Sequence, residues 1–398
     1  MSRERVSIAT RDERGAERAS VDVHHEVTGP ADGPAVLLAN SLGSNIGMWD
    51  PQLAVLVEAG YRVVRYDHRG HGRSPVSPGP YTMDDLGGDA VALLDRLGIQ
   101  RASVVGLSMG AMVAMWLGQR APDRVERLVL CCTSAELGPA SMWDDRIEAV
   151  RTGGTQAVAD AVTERWLTAQ TRERQPELTR WLHDMVCSTP DEGYSACCAA
   201  IRDMELLAGL GTVTAPTLVI SGDADPSTPP EHGSRIAEGI PGARFEVVPD
   251  VAHLGNLEKP ARFSELILAH LRPDRFAAGM AVRRATLGDG HVDRALGAAT
   301  DFTRPFQAYI TESVWGSVWT RPGLDRRTRS CITIAVLAAL RAHEELALHV
   351  RAAIGNGVTR EEIAEILLHV AGYAGAPAAN SALAVAERAL GESAPPRP

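Results

Sequence analysis

The sequence predicts a doubly wound, mostly parallel α/β sheet carrying a helical cap, followed by a separate all-α domain. Three observations carry that expectation. Short apolar, β-branched runs alternate with helical stretches over 35–132 and again over 216–271. Between those two blocks, residues 137–209 read as helical, with no clear strand. Beyond about 280 the alternation is gone and only helical patterns remain. At 398 residues two domains are the default, and the expected boundaries are 1–272, with the cap at 137–209, and 280–398.

Taken in order, residues 19–27 alternate as a first strand. Ala35-Val36-Leu37-Leu38-Ala39 is a buried strand that leads into the loop Asn40-Ser41-Leu42-Gly43-Ser44. An amphipathic helix covers 51–59 and a strand 62–66. Asp67-His68-Arg69-Gly70-His71-Gly72-Arg73-Ser74 then forms a polar, Gly-rich turn. Its histidines suggest a metal, but no third ligand stands at useful spacing, and none is expected. Thr82-x-x-Asp85 is a capping signal opening a helix to Leu97. Further strands are expected at 125–132, 216–220 and 244–248.

The chemistry centres on Ala102-Ser103-Val104-Val105-Gly106-Leu107-Ser108-Met109-Gly110, a strand that turns sharply into an Ala/Met-rich helix. This is the context a G-x-S-x-G nucleophile elbow requires. Ser108 must project from a strained turn, and glycine at 106 and 110 lets strand and helix approach. Asp225 and His253 follow, each just beyond an expected strand end. Ser…Asp…His is the chain order of α/β-hydrolase triads, in which His253 takes the Ser108 proton and Asp225 fixes its tautomer. Asp223 is the rival acid. The oxyanion donors are then the N–H groups of Met109 and Leu42. Trp143, Trp166 and Trp181 in the cap read as interhelical packing or as substrate contacts, with Trp166 kept as a substrate-binding candidate.

Composition narrows the class. A net charge of −10 argues against nucleic acid or an anionic membrane surface as partner. The charged start, Met1-Ser2-Arg3-Glu4-Arg5, lacks the apolar core of a signal peptide. Six cysteines in two adjacent pairs and two single positions suit neither a disulfide framework nor zinc, and a reduced, cytoplasmic enzyme is expected.

In the second domain, segments 295–303 and 329–354 read as helices. Thr359-Arg360-Glu361-Glu362 is a capping box opening 363–373, and Gly355-Asn356-Gly357 stops the helix before it. On one long helix, Arg341, Glu345 and His349 would form a single stripe at i, i+4, i+8. With Ile332, Val336 and Val350 on the opposite face, that helix is expected to be buried all round. The stripe is then either an internal salt bridge or an active site. The tail 394–398 is expected to fray.

Asn40 to Ser44, Met48-Trp49-Asp50-Pro51-Gln52, the Ser108 elbow and Ala252-His253-Leu254-Gly255-Asn256 together resemble the 3-oxoadipate enol-lactonases. The second half is similar, over nearly its whole length, to the 4-carboxymuconolactone decarboxylases. The matching stretches include Leu287-Gly288-Asp289-Gly290-His291-Val292-Asp293-Arg294, Trp315-Gly316-Ser317-Val318-Trp319, Glu344-Glu345-Leu346-x-x-His349 and Tyr373-Ala374-Gly375-x-Pro377. The resemblance implies an α/β-hydrolase fused to an all-α, alkylhydroperoxidase-like domain, acting in the protocatechuate branch of the β-ketoadipate pathway. It implies lactone substrates, no cofactor and assembly into homo-oligomers through the helical domain. The peroxidase relatives' C-x-x-C is replaced by Ala342 and Glu345, so redox chemistry is absent. His349 is the implied general acid, with Glu345 orienting it or relaying the proton and His291 next in line. Arg341, Arg329 or Arg327 would bind the substrate carboxylates. The alternative is an esterase or carbon–carbon bond hydrolase of other specificity, its helical half serving only for oligomerisation.

Overall fold

The computed structural model describes residues 5–8, 21–272 and 275–391. These divide into two compact units between Leu271 and Arg272. Residues 19–20 of the first expected strand, Pro273 and Asp274 of the linker, and the tail 394–398 lie outside the described residues.

The first unit is built on one sheet of eight strands. They are β1 (Arg5–Ile8), β2 (Val21–Thr28), β3 (Ala35–Ala39), β4 (Arg62–Tyr66), β5 (Ala102–Leu107), β6 (Val125–Cys131), β7 (Thr217–Gly222) and β8 (Arg244–Val248). Their spatial order is β1-β2-β4-β3-β5-β6-β7-β8. β1 and β2 run antiparallel, and β4 through β8 are mutually parallel. The apolar content of each strand sets its place: β5 is buried at every position and lies mid-sheet, while β8 at the edge is half exposed. Chain direction across the sheet reverses between β3 and β5, the switch point where ligands of such sheets bind.

Helices α1 (Asp50–Glu58), α2 (Met83–Arg96) and α3 (Met109–Arg120) cover the first half of the sheet. Thr82 and Asp85 form the reciprocal capping box of α2. The segment after β6 is a cap of five helices, α4 (Ala140–Gly153), α5 (Gln156–Trp166), α6 (Ala169–Arg174), α7 (Pro176–Cys187) and α8 (Asp191–Arg202). The sheet then resumes, with α9 (Pro230–Gly239), α10 (Gly255–Glu258) and α11 (Pro260–Leu271).

The second unit holds α12 (Arg275–Leu287), α13 (Asp289–Gly297), α14 (Arg304–Ile310), a π-helix (Thr311–Trp319), α15 (Arg326–Leu340), α16 (His343–Gly355), α17 (Arg360–Ala374) and α18 (Ala376–Gly391). Ile334, Leu346, Val350, Ile363, Leu367 and Val385 centre its core. Thr359 and Glu362 form the capping box of α17, and α16 stops at Gly355 before Gly357 at φ 87°.

Three expectations for this unit need correction. The helix placed at 295–303 is α13, which ends at Gly297; Thr300 and Thr303 then bond each other's backbone N–H through their hydroxyls, which competes with helical pairing. The single helix over 329–354 is two. Arg341 adopts φ 59°, its N–H bonds the Ala338 carbonyl, and the Ala342 N–H reaches Leu337. That is a Schellman stop made without glycine. Finally, Ile332 and Val336 are exposed, so α15 is not buried all round.

Among the described residues no helix is long and apolar enough to cross a membrane, and no group of three or more His, Cys, Asp or Glu side chains could hold a metal ion.

Candidate active sites

Ser108 stands between β5 and α3 at φ 55°, ψ −119°, a conformation that side chains rarely adopt. The flanking glycines make it possible. A Cβ on Gly106 would meet the Gly110 carbonyl oxygen at 2.2 Å, and one on Gly110 would meet that of Ala39 at 2.1 Å. The Ser108 backbone is pinned on both sides: its N–H donates to Cys131 O (2.9 Å) and its carbonyl accepts from Thr133 Oγ1 (2.9 Å).

Asp225 lies beyond β7 and His253 beyond β8, at the same sheet edge. His253 Nδ1 is 2.8 Å from Asp225 Oδ2. The other Asp225 oxygen accepts the N–H groups of Ser227 (2.8 Å) and Thr228 (3.1 Å), and the Thr228 hydroxyl donates to Oδ2 at 2.8 Å. Burial alone would raise this carboxyl. The facing His253 and the donors of Thr228 outweigh burial and hold it at about 2, ionised throughout the neutral range. Asp223 is exposed, so the acid beside His253 is Asp225. Ser108 and His253 line one cavity of about 130 Å³ without a hydrogen bond between them. The N–H groups of Leu42 and Met109 carry no hydrogen bond among the described residues.

The cap closes this cavity with Trp143 and Trp166, and with two residues that sequence reasoning missed, Arg146 on α4 and Arg165 on α5. Among the described residues neither arginine has a carboxylate within 4 Å. The Arg146 guanidinium lies over the rings of Trp143 (5.5 Å) and Tyr194 (5.6 Å). Desolvation and then repulsion from Arg146 lower the Arg165 pKa. Two cations therefore line the Ser108 cavity without an ion-paired carboxylate among the described residues. A sequence signal existed, because neither arginine has an acidic residue at i±3 or i±4. Trp166 also ties the cap to the loop that bears His253, its carbonyl accepting the Leu254 N–H at 2.9 Å.

In the helical unit the candidates divide. Arg341 caps α15 and is exposed, so the stripe expected from it does not form; Glu345 and His349 keep their i, i+4 relation on α16, Glu345 exposed and His349 half-buried. Arg327 is held by Glu362 and the Gly357 carbonyl, and Arg329 donates to the carbonyls of Leu324 and Arg321. His291, from α13, approaches His349 closely enough for the two to repel. Burial first, then that repulsion, lowers His349 to about 4 against the opposing pull of Glu345. The Trp315 ring of the π-helix lies nearly parallel to His349, centroids 6.5 Å apart. A further residue, unread in the sequence, is Arg283 at the centre of the buried face of α12. It donates to Thr311 Oγ1 (3.1 Å) and Gln307 Oε1 (2.8 Å), with no carboxylate within 4 Å among the described residues, and its charge reaches His291.

Two family descriptions match the chain: alpha/beta hydrolase fold over residues 34–153, and carboxymuconolactone decarboxylase family over 304–388. The first unit is 35% identical over 252 residues to 3-oxoadipate enol-lactonase 2 of Acinetobacter baylyi, a match covering 63% of this chain and 94% of that protein. The second is 50% identical over 113 residues to 4-carboxymuconolactone decarboxylase of the same organism, covering 28% of this chain and 84% of that one. The chain belongs to both families. It is a fusion of an α/β-hydrolase of the enol-lactonase kind with a carboxymuconolactone decarboxylase domain, and it is an enzyme in both halves, hydrolase and lyase. The crystal structure of the enol-lactonase from Burkholderia xenovorans LB400 superposes on the hydrolase unit with a TM-score of 0.62 and 39% identity, covering 63% of this chain and 96% of that one.

Proposed function

We propose that the enzyme converts γ-carboxymuconolactone to β-ketoadipate in two steps, decarboxylation in the helical unit and enol-lactone hydrolysis in the hydrolase unit. The observation that carries this reading is the unpaired Arg146–Arg165 pair over the Ser108 cavity. An anionic lactone needs such a pair, and a neutral ester does not.

In the first step the bond from the γ-carbon to its carboxylate breaks. Its electrons pass through the ring double bond into the lactone carbonyl, giving CO₂ and an oxyfuran that takes a proton at the α-carbon. The butenolide is its own electron sink, so no cofactor is called for. His349, near 4 in the free site, is uncharged at neutral pH. A substrate bringing two carboxylates beside it raises its proton affinity, and it then delivers that proton, with Glu345 supporting the imidazolium. Arg283 offers a charge for the carboxylate that stays; a guanidinium on the departing one would stabilise the ground state and slow its loss.

In the second step Ser108 attacks the enol-lactone carbonyl, His253 takes its proton and Asp225 holds the ring. The N–H groups of Leu42 and Met109 receive the oxyanion, each contributing roughly 2.7–4 kcal/mol. His253 gives its proton to the enol leaving group, which becomes a ketone and makes ring opening effectively irreversible; a water, deprotonated by His253 in turn, then attacks the Ser108 ester, freeing β-ketoadipate and restoring the serine. The exposed apolar side chains of the helical unit support assembly into a homo-oligomer.

The test is selectivity. The enol-lactone is expected to exceed p-nitrophenyl acetate in kcat/KM by at least about 10²-fold, the order of a lost buried ion pair. The reverse preference selects the general-esterase alternative.

A further inference from the structure

The turn from Asp67 to Ser74, rich in histidine and glycine, has no part in the chemistry above. Three of its side chains, Asp67, His68 and His71, nevertheless bond the segment after β3. The Asn40 amide donates to Tyr66 O at 2.8 Å, and the Ile46 N–H donates to Asp67 Oδ1 at 2.9 Å. His68 Nε2 lies 3.1 Å from the Asn40 carbonyl. The Gly43 N–H donates to His71 Nε2 at 2.9 Å. Gly43 is the residue after Leu42, and its φ of 75° sets the direction of the chain there.

These contacts fix protonation states. A carbonyl only accepts, so His68 is the Nε2–H tautomer. An N–H only donates, so His71 Nε2 must carry a lone pair, and its proton sits on Nδ1, facing the Arg69 carbonyl (3.4 Å) and Cys197 Sγ (3.9 Å). Both rings are fully buried, and burial holds them uncharged. The turn's glycines serve the same packing. A Cβ on Gly72 would strike the Asp67 carboxylate at 2.3 Å, and one on Gly70 would come within 2.4 Å of Gly193 Cα in cap helix α8. One turn therefore contacts both the loop that bears the Leu42 N–H and the cap above it.

We infer that His71 is a positioning residue for hydrolysis, its unprotonated Nε2 holding the Gly43 peptide so that the neighbouring Leu42 N–H points at the developing oxyanion. This rests on the reading of Ser108 as nucleophile and Leu42 as oxyanion donor. Donors to an oxyanion act on the transition state more than on the bound substrate. Losing the support should therefore lower kcat and leave KM in place.

The test uses the full chain with His71→Leu, which removes the acceptor, and His71→Gln, whose amide oxygen can accept the same N–H. Enol-lactone and p-nitrophenyl acetate are the substrates, and phenylboronic acid, which forms a tetrahedral anion on a reactive serine, is the inhibitor. For His71→Leu, kcat should fall about 10–10²-fold on both substrates with KM within about 3-fold, and the boronate inhibition constant should rise in parallel. His71→Gln should recover most of each. A merely misfolded fraction would lower kcat without moving the boronate constant. The inference is overturned if His71→Leu keeps kcat within about 2-fold of the parent, if KM alone changes, or if boronate affinity is unaltered while kcat falls. Ser108→Ala is run beside them: if it retains hydrolysis, the nucleophile reading itself has failed, and that outcome does not depend on His71.

Discussion

The two units handle apolar surface in opposite ways. In the hydrolase unit, more than twice the length of its neighbour, the exposed large hydrophobic side chains among the described residues are Val76, Met142, Trp181 and Val247, none more than 44% exposed. The helical unit exposes Phe302 (92%), Tyr373 (85%) and Leu340 (71%), with Phe306, Tyr309, Ile332, Val336 and Leu368 among others. Their candidate catalytic groups differ in the same sense. Asp225 and His253 are bonded to each other and braced by Thr228, whereas His349 carries no hydrogen bond among the described residues. The hydrolase unit covers most of its apolar surface and pairs Asp225 with His253; the helical unit leaves apolar faces open and His349 without a hydrogen-bond partner among the described residues.

If that contrast holds, the two chemistries separate cleanly by mutation. The largest effect is expected from Ser108→Ala, which should cut enol-lactone hydrolysis by at least about 10⁴-fold while CO₂ release continues, because the nucleophile acts in one unit only. His349→Ala should do the converse, lowering CO₂ release by about 10²–10⁴-fold with hydrolysis near that of the parent. Mixing the two variant chains should restore β-ketoadipate formation from γ-carboxymuconolactone; CO₂ release that stalls at about one equivalent per Ser108→Ala chain, with no β-ketoadipate formed, would mean that the intermediate does not leave the chain that made it.

A smaller effect tests how the closed cavity chooses its substrate. Arg146→Met with Arg165→Met should raise KM for the enol-lactone by about 30-fold or more and leave p-nitrophenyl acetate within about 3-fold, as expected when buried ion pairing to substrate is lost. Comparable losses on both esters would make the arginines structural. For the open faces, light scattering should give a multiple of the chain mass at micromolar concentration. Leu340→Glu with Tyr373→Lys should lower that mass. A monomeric parent contradicts the reading of the helical unit as one made to be covered.

The smallest effect is a shift in titration. The fold holds His349 at about 4, below the ordinary 6.5, with burial first and His291 second. Removing the repelling ring by His291→Ala should raise that value, and removing the supporting charge by Glu345→Gln should lower it, as read from the pH dependence of histidine carbethoxylation. By linkage, the unfolded chain takes up the His349 proton first as pH falls from about 6.5 towards 4. His349 therefore costs the helical unit stability across that window and none above it.

What was legible in the sequence follows from how local each signal is. The strands β3, β4 and β8 could be bounded to the residue because a compact apolar run between polar turns has one reading. Thr82 and Thr359 announced their helices because a capping box is written in four residues. That Ser108, Asp225 and His253 would come together at one sheet edge was readable because a strained turn demands glycine at 106 and 110 and because chain order limits the partners. The stop at Arg341 was not readable, since a left-handed residue is advertised by glycine and this one is arginine. The cap arginines left a faint signal, the lack of an acid at i±3 or i±4, but their meeting over one cavity, the π-helix and Arg283 depend on what packs opposite, which spacing does not encode. Nor did spacing explain the histidines of the Asp67–Ser74 turn; their role is visible only when Gly43 is seen against His71.

The most direct measurement supplies γ-carboxymuconolactone to the unmodified full chain and follows CO₂ and β-ketoadipate together. The expected result is release of both in about equal amounts, with no cofactor or metal added, since the lactone ring accepts the electrons and Ser108 opens the product. Absence of CO₂, or CO₂ without β-ketoadipate, would contradict the two-step assignment.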